Sequence, residues 1–124
     1  MGRVRTAMKR ILITGASGFL GSHLALSLKN AYEVRGTFAR RPVDLPGCPM
    51  ERLDFTSGSS GLSALIERFR PDVVIHAAAL IDIDLCEREP VAARRINEDA
   101  VRQVASAAAA ARARLVYFST DMVF

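Results

Sequence analysis

The sequence predicts an α/β fold, a doubly wound parallel sheet with helices on both faces. Short apolar segments alternate with amphipathic ones along the chain, the pattern of repeated strand–helix–strand units. Three glycines, Gly15, Gly18 and Gly21, join the first apolar segment to an amphipathic one. Residues 72–78 form a nearly continuous apolar run, typical of a strand buried on both faces of a parallel sheet.

Five strands and three helices are predicted, with a loop that contains proline and glycine in place of a helix between strands two and three. The strands are expected at residues 10–14, 33–39, 51–55, 72–78 and 114–119, and the helices at residues 19–29, 62–69 and 90–112. Leu20, Leu24 and Leu28 would form the apolar face of the first helix, and the Ser/Gly cluster at 57–61 offers the second an N-cap. Right-handed crossovers give the strand order 3-2-1-4-5, which places a ligand beyond the carboxyl ends of strands one and four.

Size and composition restrict the classes of partner. The chain has 124 residues, enough for one domain, and we expect residues 1–7 to be a flexible leader before a domain at 8–124. The net charge of +4 is dispersed, without a basic stripe interleaved with aromatics, so no nucleic-acid partner is expected. No apolar run is long enough to span a bilayer, so no membrane partner is expected either. Cys48 and Cys86 lie far apart, which favours reduced thiols in the cytoplasm.

The glycine-rich turn predicts a site for the diphosphate of a dinucleotide. Gly15 permits a sharp turn, Gly18 has no Cβ to keep phosphate oxygens from the backbone, and Gly21 lets the helix pack on the strand. The first amides of the helix and its positive end would face the anion. A turn that needs glycines only for its own conformation is the alternative. The expected contacts are Gly15, Ser17, Gly18, Phe19, Leu20 and Gly21.

Residues after the second strand bear on the choice between nicotinamide cofactors. A site that prefers NAD normally has a carboxylate there, which accepts a hydrogen bond from the ribose 2′-hydroxyl. This chain has Arg40 and Arg41 and no acid at that place, and guanidinium groups suit a 2′-phosphate. The sequence therefore favours NADP(H) over NAD(H).

The remaining candidates follow the other strands. Ala77, Ala78 and Ala79 are small enough for a cofactor to pass close to the backbone, although small residues also suit tight packing. His76 lies inside an apolar strand with no second histidine nearby, so we expect a core residue rather than a ligand or base. The irregular spacing of Asp82, Asp84 and Glu87 favours solvated carboxylates, and no metal site is predicted.

Several motifs together resemble one family. Residues 14–21, TGASGFLG, resemble the glycine turn of the extended short-chain dehydrogenases/reductases, and residues 72–79 and Asn97 fit that family's fourth strand and fourth helix. The segment 115–124, LVYFSTDMVF, is similar to the STDYVF signature of the dTDP-4-dehydrorhamnose reductases, with Met122 in place of the tyrosine. Asp84, Glu87 and Pro90 fit the spacing of the same subfamily.

The resemblance implies a Rossmann-like fold and hydride transfer from NADP(H) to a nucleotide-linked keto-sugar. It implies that the Thr120 hydroxyl, or that of Ser119, bonds the substrate carbonyl, although both could simply cap the loop after a strand. It also implies that Asp54, with Phe55 beside it, accepts from the adenine amino group; a loop cap is the alternative for Asp54. The family's Tyr-x-x-x-Lys pair is absent, since Gly36 and Asp121 stand four residues after the two tyrosines.

Two further expectations follow from that absence. The chain would be the cofactor-binding part of a reductase, truncated before the sixth strand and the substrate lobe and inactive alone. The open alternatives are a non-catalytic dinucleotide-binding regulatory module, as in the β subunit of methionine adenosyltransferase, and the cofactor half of a sugar-nucleotide epimerase or dehydratase. We also expect a homodimer or self-association through an exposed edge of strand five.

Overall fold

The computed structural model describes residues 8–55, 61–78 and 87–118. Its centre is one sheet of five parallel strands: β1 (Arg10–Thr14), β2 (Glu33–Phe38), β3 (Met50–Arg52), β4 (Val73–His76) and β5 (Arg114–Tyr117). The order across the sheet is β3-β2-β1-β4-β5, which confirms the predicted fold class and strand order. Because the order reverses between β1 and β4, the crevice beyond the ends of these two strands is the place where such sheets bind ligands.

Two apolar clusters sandwich the sheet, because successive side chains of a strand point to opposite faces. Leu12 and Val74 pack with α2 (Leu62–Phe69) and the long helix before β5 on one face. Ile13 and Ile75 pack with α1 (Phe19–Leu28) on the other. The apolar face predicted for α1 is wrong at Leu20, which is 42% exposed. Gly21 and Ala25, one helical turn apart, face the sheet instead.

The last helical region departs from the single helix predicted at 90–112. It consists of α3 (Pro90–Arg94), a π-helical turn (Arg95–Asp99) and α4 (Ala100–Ala110). A π-turn accommodates one extra residue locally, and apolar periodicity averaged over many residues does not detect it. The region ends early because Arg112 has a φ of +57°, a left-handed conformation that stops a helix.

The ends of several other elements were predicted too far along the chain. Strands β2, β3, β4 and β5 end at Phe38, Arg52, His76 and Tyr117, one to three residues before the predicted ends. Single backbone hydrogen bonds still form just past the paired residues, as from Ala77 N to the Thr14 carbonyl at 3.0 Å. The apolar sequence also runs on past the last paired residues, so it does not mark where a strand ends. The N-cap of α2 is Gly61, within the predicted cluster at 57–61, and it caps the helix without a side-chain hydrogen bond. The predicted leader at 1–7 lies outside the described residues.

Candidate functional site

The turn between β1 and α1 lies in the crevice where the strand order reverses. Gly15 has a φ of +71°, a left-handed conformation that favours glycine. A Cβ at this position would lie 2.6 Å from both the backbone N and the Cα of Ala78, just after β4. Conformation and space therefore both require glycine, and the turn lies directly against the residues that follow β4.

The start of α1 presents unpaired amides. Gly18 is the N-cap, in an extended conformation with φ −80° and ψ 174°, and no side chain caps the helix. Gly18 N itself donates to the Gly15 carbonyl at 3.1 Å. Within the described ranges, the Phe19 and Leu20 amides have no acceptor, as is usual for the first residues of an α-helix.

The electrostatics of this helix end favour an anion. No acidic residue lies in the first turn of α1, so nothing there neutralises the positive end of the helix dipole. The site is also open, since the Phe19 side chain is 83% exposed. Gly21 brings the helix close to the turn, because a Cβ there would be 2.7 Å from Ala16 Cα and 2.9 Å from the Gly15 carbonyl carbon. The start of α1 is therefore exposed, uncapped and free of carboxylates in its first turn.

A threonine on β2 holds the turn from the opposite side to β4. Gly15 N donates to Thr37 Oγ1 at 3.1 Å, and Ala16 N donates to the Thr37 carbonyl at 2.8 Å. Thr37 is only 1% exposed. Sequence reasoning missed this residue, although a hydroxyl side chain directly after a glycine in a predicted strand was an available signal.

A polar pair lies beneath the crevice. Thr14 Oγ1 lies 2.6 Å from His76 Nδ1, and both side chains are buried. Burial lowers the pKa of His76 to about 4, because the protein interior disfavours the charged imidazolium. His76 Nε2 has no partner within the described ranges, and the ring packs against Phe55 and Tyr117. The prediction that His76 is buried in the core is confirmed.

The structure places the other predicted site residues at the carboxyl ends of the strands. Arg40 and Arg41 are exposed beyond β2, and Ala77 and Ala78 are partly buried beyond β4. Asp54 is partly buried beyond β3.

Not every candidate is both described and open to a ligand. Phe55 is 5% exposed and packs edge-on to His76, so its ring belongs to the core. Ala79, Ser119 and Thr120 lie outside the described residues, as do Asp82 and Asp84. Among the described residues, no three His, Cys, Asp or Glu side chains are grouped as a metal ion would require. No helix in the described ranges is long and apolar enough to cross a membrane.

A family model decides the relationship of this chain to known proteins. The model of the RmlD substrate binding domain matches residues 8–124. The chain belongs to this family. Proteins similar to it include methionine adenosyltransferase 2 subunit beta of Pongo abelii, 36% identical over 94% of the chain, and dTDP-4-dehydrorhamnose reductase of Streptomyces griseus, 37% identical over 93%. The chain covers 34% of the length of each of these relatives.

Solved structures of similar proteins have the same fold as this chain. The dTDP-4-dehydrorhamnose reductase of Bacillus anthracis, solved in complex with NADP, matches 98% of the chain with a TM-score of 0.77 and 33% identity. The Bordetella bronchiseptica enzyme WbmH, solved in complex with NAD+, matches 93% with a TM-score of 0.77 and 27% identity. The chain covers 39% and 40% of these two structures.

Proposed function

We propose that the chain is the NADP(H)-binding part of a nucleotide-sugar reductase similar to dTDP-4-dehydrorhamnose reductase. The observation that carries the proposal is the pair of unpaired amides at Phe19 and Leu20. They lie at the start of a helix whose N-cap, Gly18, has no side chain that would keep a ligand away. Such an end binds phosphate through its N–H groups and its dipole. The NADP held by the similar Bacillus anthracis protein supports the choice of ligand.

The diphosphate would rest on the Phe19 and Leu20 amides, beside Ser17 and Gly18. Ala77 and Ala78, which lie against Gly15, would form the floor under the nicotinamide ribose, continued by Ala79. Asp54 would accept a hydrogen bond from the adenine amino group.

The preference for NADP(H) rests on Arg40 and Arg41. Both side chains are exposed beyond β2, and the segment from Phe38 to Arg41 contains no carboxylate. Guanidinium groups bind phosphate bidentately, whereas an NAD site needs an acceptor for the 2′-hydroxyl. Since the WbmH structure carries NAD+, the comparisons support a nicotinamide dinucleotide, and the arginines carry the finer proposal.

The reaction proposed for the whole protein is reduction of a keto-sugar carbonyl. The bound dinucleotide would supply the hydride, and the Thr120 hydroxyl, with Ser119 as second choice, would bond the carbonyl oxygen. The given sequence contains no Tyr-x-x-x-Lys pair to deliver the proton. We therefore expect residues 1–124 alone not to catalyse the reduction. The substrate is then a nucleotide-linked sugar. The cytoplasmic location expected from the cysteines belongs to the same proposal.

A second function is favoured by one observation. Methionine adenosyltransferase 2 subunit beta is as similar to this chain as the reductases are. A single-turnover assay separates the reductase from a non-catalytic binding module. It mixes the full-length protein with NADPH and a keto-sugar nucleotide. Oxidation of NADPH that depends on the sugar supports a reductase. Binding of NADPH without oxidation supports a non-catalytic dinucleotide-binding module.

Calorimetric titration of the chain with NADPH and NADH tests the cofactor proposal. We expect NADPH to bind about tenfold more tightly or better, since one charge-assisted contact to phosphate contributes that much. The double variant Arg40→Ala/Arg41→Ala should bring the two affinities together. Arg94→Ala, which removes another exposed guanidinium, is the control and should leave the ratio unchanged. Equal affinities that the double variant does not alter would contradict the preference.

A further inference from the structure

We propose that Thr37 is a positioning residue whose buried hydroxyl fixes the glycine turn in the shape that presents the Phe19 and Leu20 amides. The inference rests on the proposed function, because its consequence for affinity requires a dinucleotide on those amides. Thr37 lies on β2, is 1% exposed, and contacts the turn through its hydroxyl and its carbonyl. It would therefore act through the turn.

Two consecutive peptide units of the turn are each held at both ends. The unit between Thr14 and Gly15 donates its N–H to Thr37 Oγ1 at 3.1 Å, while its carbonyl accepts from Ala77 N at 3.0 Å. The unit between Gly15 and Ala16 donates its N–H to the Thr37 carbonyl at 2.8 Å, while its carbonyl accepts from Gly18 N at 3.1 Å. Three of these four bonds use backbone groups only. The Thr37 hydroxyl is the one partner that a substitution can remove.

Packing adds to this fixation. The Ala16 side chain is fully buried and lies in the space left by Gly36, where a Cβ would be 2.5 Å from Ala16 Cβ. On the other side, the missing Cβ of Gly15 leaves room for the backbone of Ala78. The start of the turn is therefore confined between β2 and β4, with little freedom to compensate for a lost hydrogen bond.

The effect reaches the helix end through Gly18. Gly18 N is bonded to the Gly15 carbonyl, and the Gly18 carbonyl accepts from Ser22 N at 2.9 Å in the first turn of α1. A rotation of the peptide units at Gly15 would therefore move the N-cap and, with it, the amides that follow. Small displacements of positioning groups reduce binding and catalysis strongly.

The test uses Thr37→Val, which keeps the branched shape and removes the acceptor, and Thr37→Ser, which restores the hydroxyl. Val34→Ala is the matched control, because Val34 is buried on the same strand and its apolar side chain forms no hydrogen bond with the turn. We expect Thr37→Val to raise the Kd for NADPH about tenfold, the scale of leaving one amide unpaired. Thr37→Ser should stay within about twofold of the wild type. Val34→Ala should bind NADPH like the wild type wherever it remains folded.

A second readout needs no nucleotide. The Gly15 amide should exchange slowly with deuterium in the wild type and in Thr37→Ser, and at least about tenfold faster in Thr37→Val. The inference is overturned by equal Gly15 exchange in wild type and Thr37→Val, by equal NADPH affinity in these two proteins, or by an equal loss of affinity in Val34→Ala. If the wild type binds neither NADPH nor NADH, the proposed function fails together with the consequence for affinity. The exchange result then still decides whether Thr37 holds the turn.

Discussion

Thr14 Oγ1 and His76 Nδ1 lie 2.6 Å apart, so the last residues of the two central strands are joined by a buried hydrogen bond. A backbone hydrogen bond continues the link, since Ala77 N, just after β4, donates to the carbonyl of Thr14 at the end of β1. Gly15 and Ala78 then meet above this pair. The segment under the candidate nucleotide site is thus held by one side-chain hydrogen bond, between Thr14 and His76, and by one backbone hydrogen bond, between Ala77 and Thr14.

The His76 pair should make stability depend on pH. The pKa of His76 is lowered from 6.5 to about 4 in the folded chain. Between these values the unfolded chain binds more protons than the folded one, so the free energy of unfolding rises with pH. Stability should therefore be lost as the pH falls from about 6.5 to about 4, by about 3 kcal/mol in total. Urea denaturation at a series of pH values measures this.

Two variants separate His76 from other groups that titrate in the same range. His76→Gln removes the imidazole, so its free energy of unfolding should lack the loss of about 3 kcal/mol expected of the wild type between pH 6.5 and about 4. His23→Gln, which removes the exposed histidine of α1, is the control. A His76→Gln protein with the same pH dependence as the wild type would show that His76 does not set it.

Gly15 and Gly61 form a matched pair for testing the tight fit of the turn. Both have positive φ, +71° and +81°, but a Cβ at Gly61 would have no neighbour within 4 Å. Gly61→Ala should cost about 1–2 kcal/mol from backbone strain alone and leave NADPH binding intact. Gly15→Ala has the same strain plus the collision with Ala78, so it should cost about 2–5 kcal/mol and abolish binding. Chemical denaturation and calorimetry measure the two effects.

If Gly15→Ala loses no more stability than Gly61→Ala and still binds NADPH, then the contact between the turn and the residues after β4 is not needed for the site.

The outer edge of β5 predicts self-association of the chain. Val116 and Tyr117 of β5, an edge strand among the described residues, and Phe118 just after it are 36%, 50% and 43% exposed, and exposed apolar edges pair with other chains. Light scattering should show a mass that rises with concentration, and Val116→Lys should reduce this rise. Val91→Lys, on exposed α3, should have no effect. A single monomeric species at every concentration would contradict the prediction.

The sequence predicts the elements best where Gly and Pro punctuate the chain. The bounds of β1 and α2 are as predicted, because Gly15 and Pro71 stop them through backbone constraints that act locally. The π-helical turn at Arg95–Asp99 could not be predicted, since apolar periodicity averaged over many residues does not detect one extra residue. The early end of β3 was missed because the apolar residues Leu53 and Phe55 continue past the last paired residue and pack in the core.

In the candidate site, too, the local features were predictable and the long-range contacts were not. The glycine turn is local chemistry, and its residues lie together in the structure as the spacing implies. The clamp by Thr37 is a contact across 22 residues of sequence, which no short motif reports. The hydrogen bond of Thr14 with His76 spans 62 residues, so the burial of His76 was predictable and its partner was not.

Backbone amide shifts during titration of the chain with NADPH, followed by NMR, test the central claim most directly. If a diphosphate rests on the start of α1, the largest changes should fall on the Gly18, Phe19 and Leu20 amides, and they should saturate at one nucleotide per chain. Inorganic pyrophosphate should move the same amides more weakly. Unchanged Phe19 and Leu20 amides in a folded protein, or saturating changes confined to another region, would contradict the account.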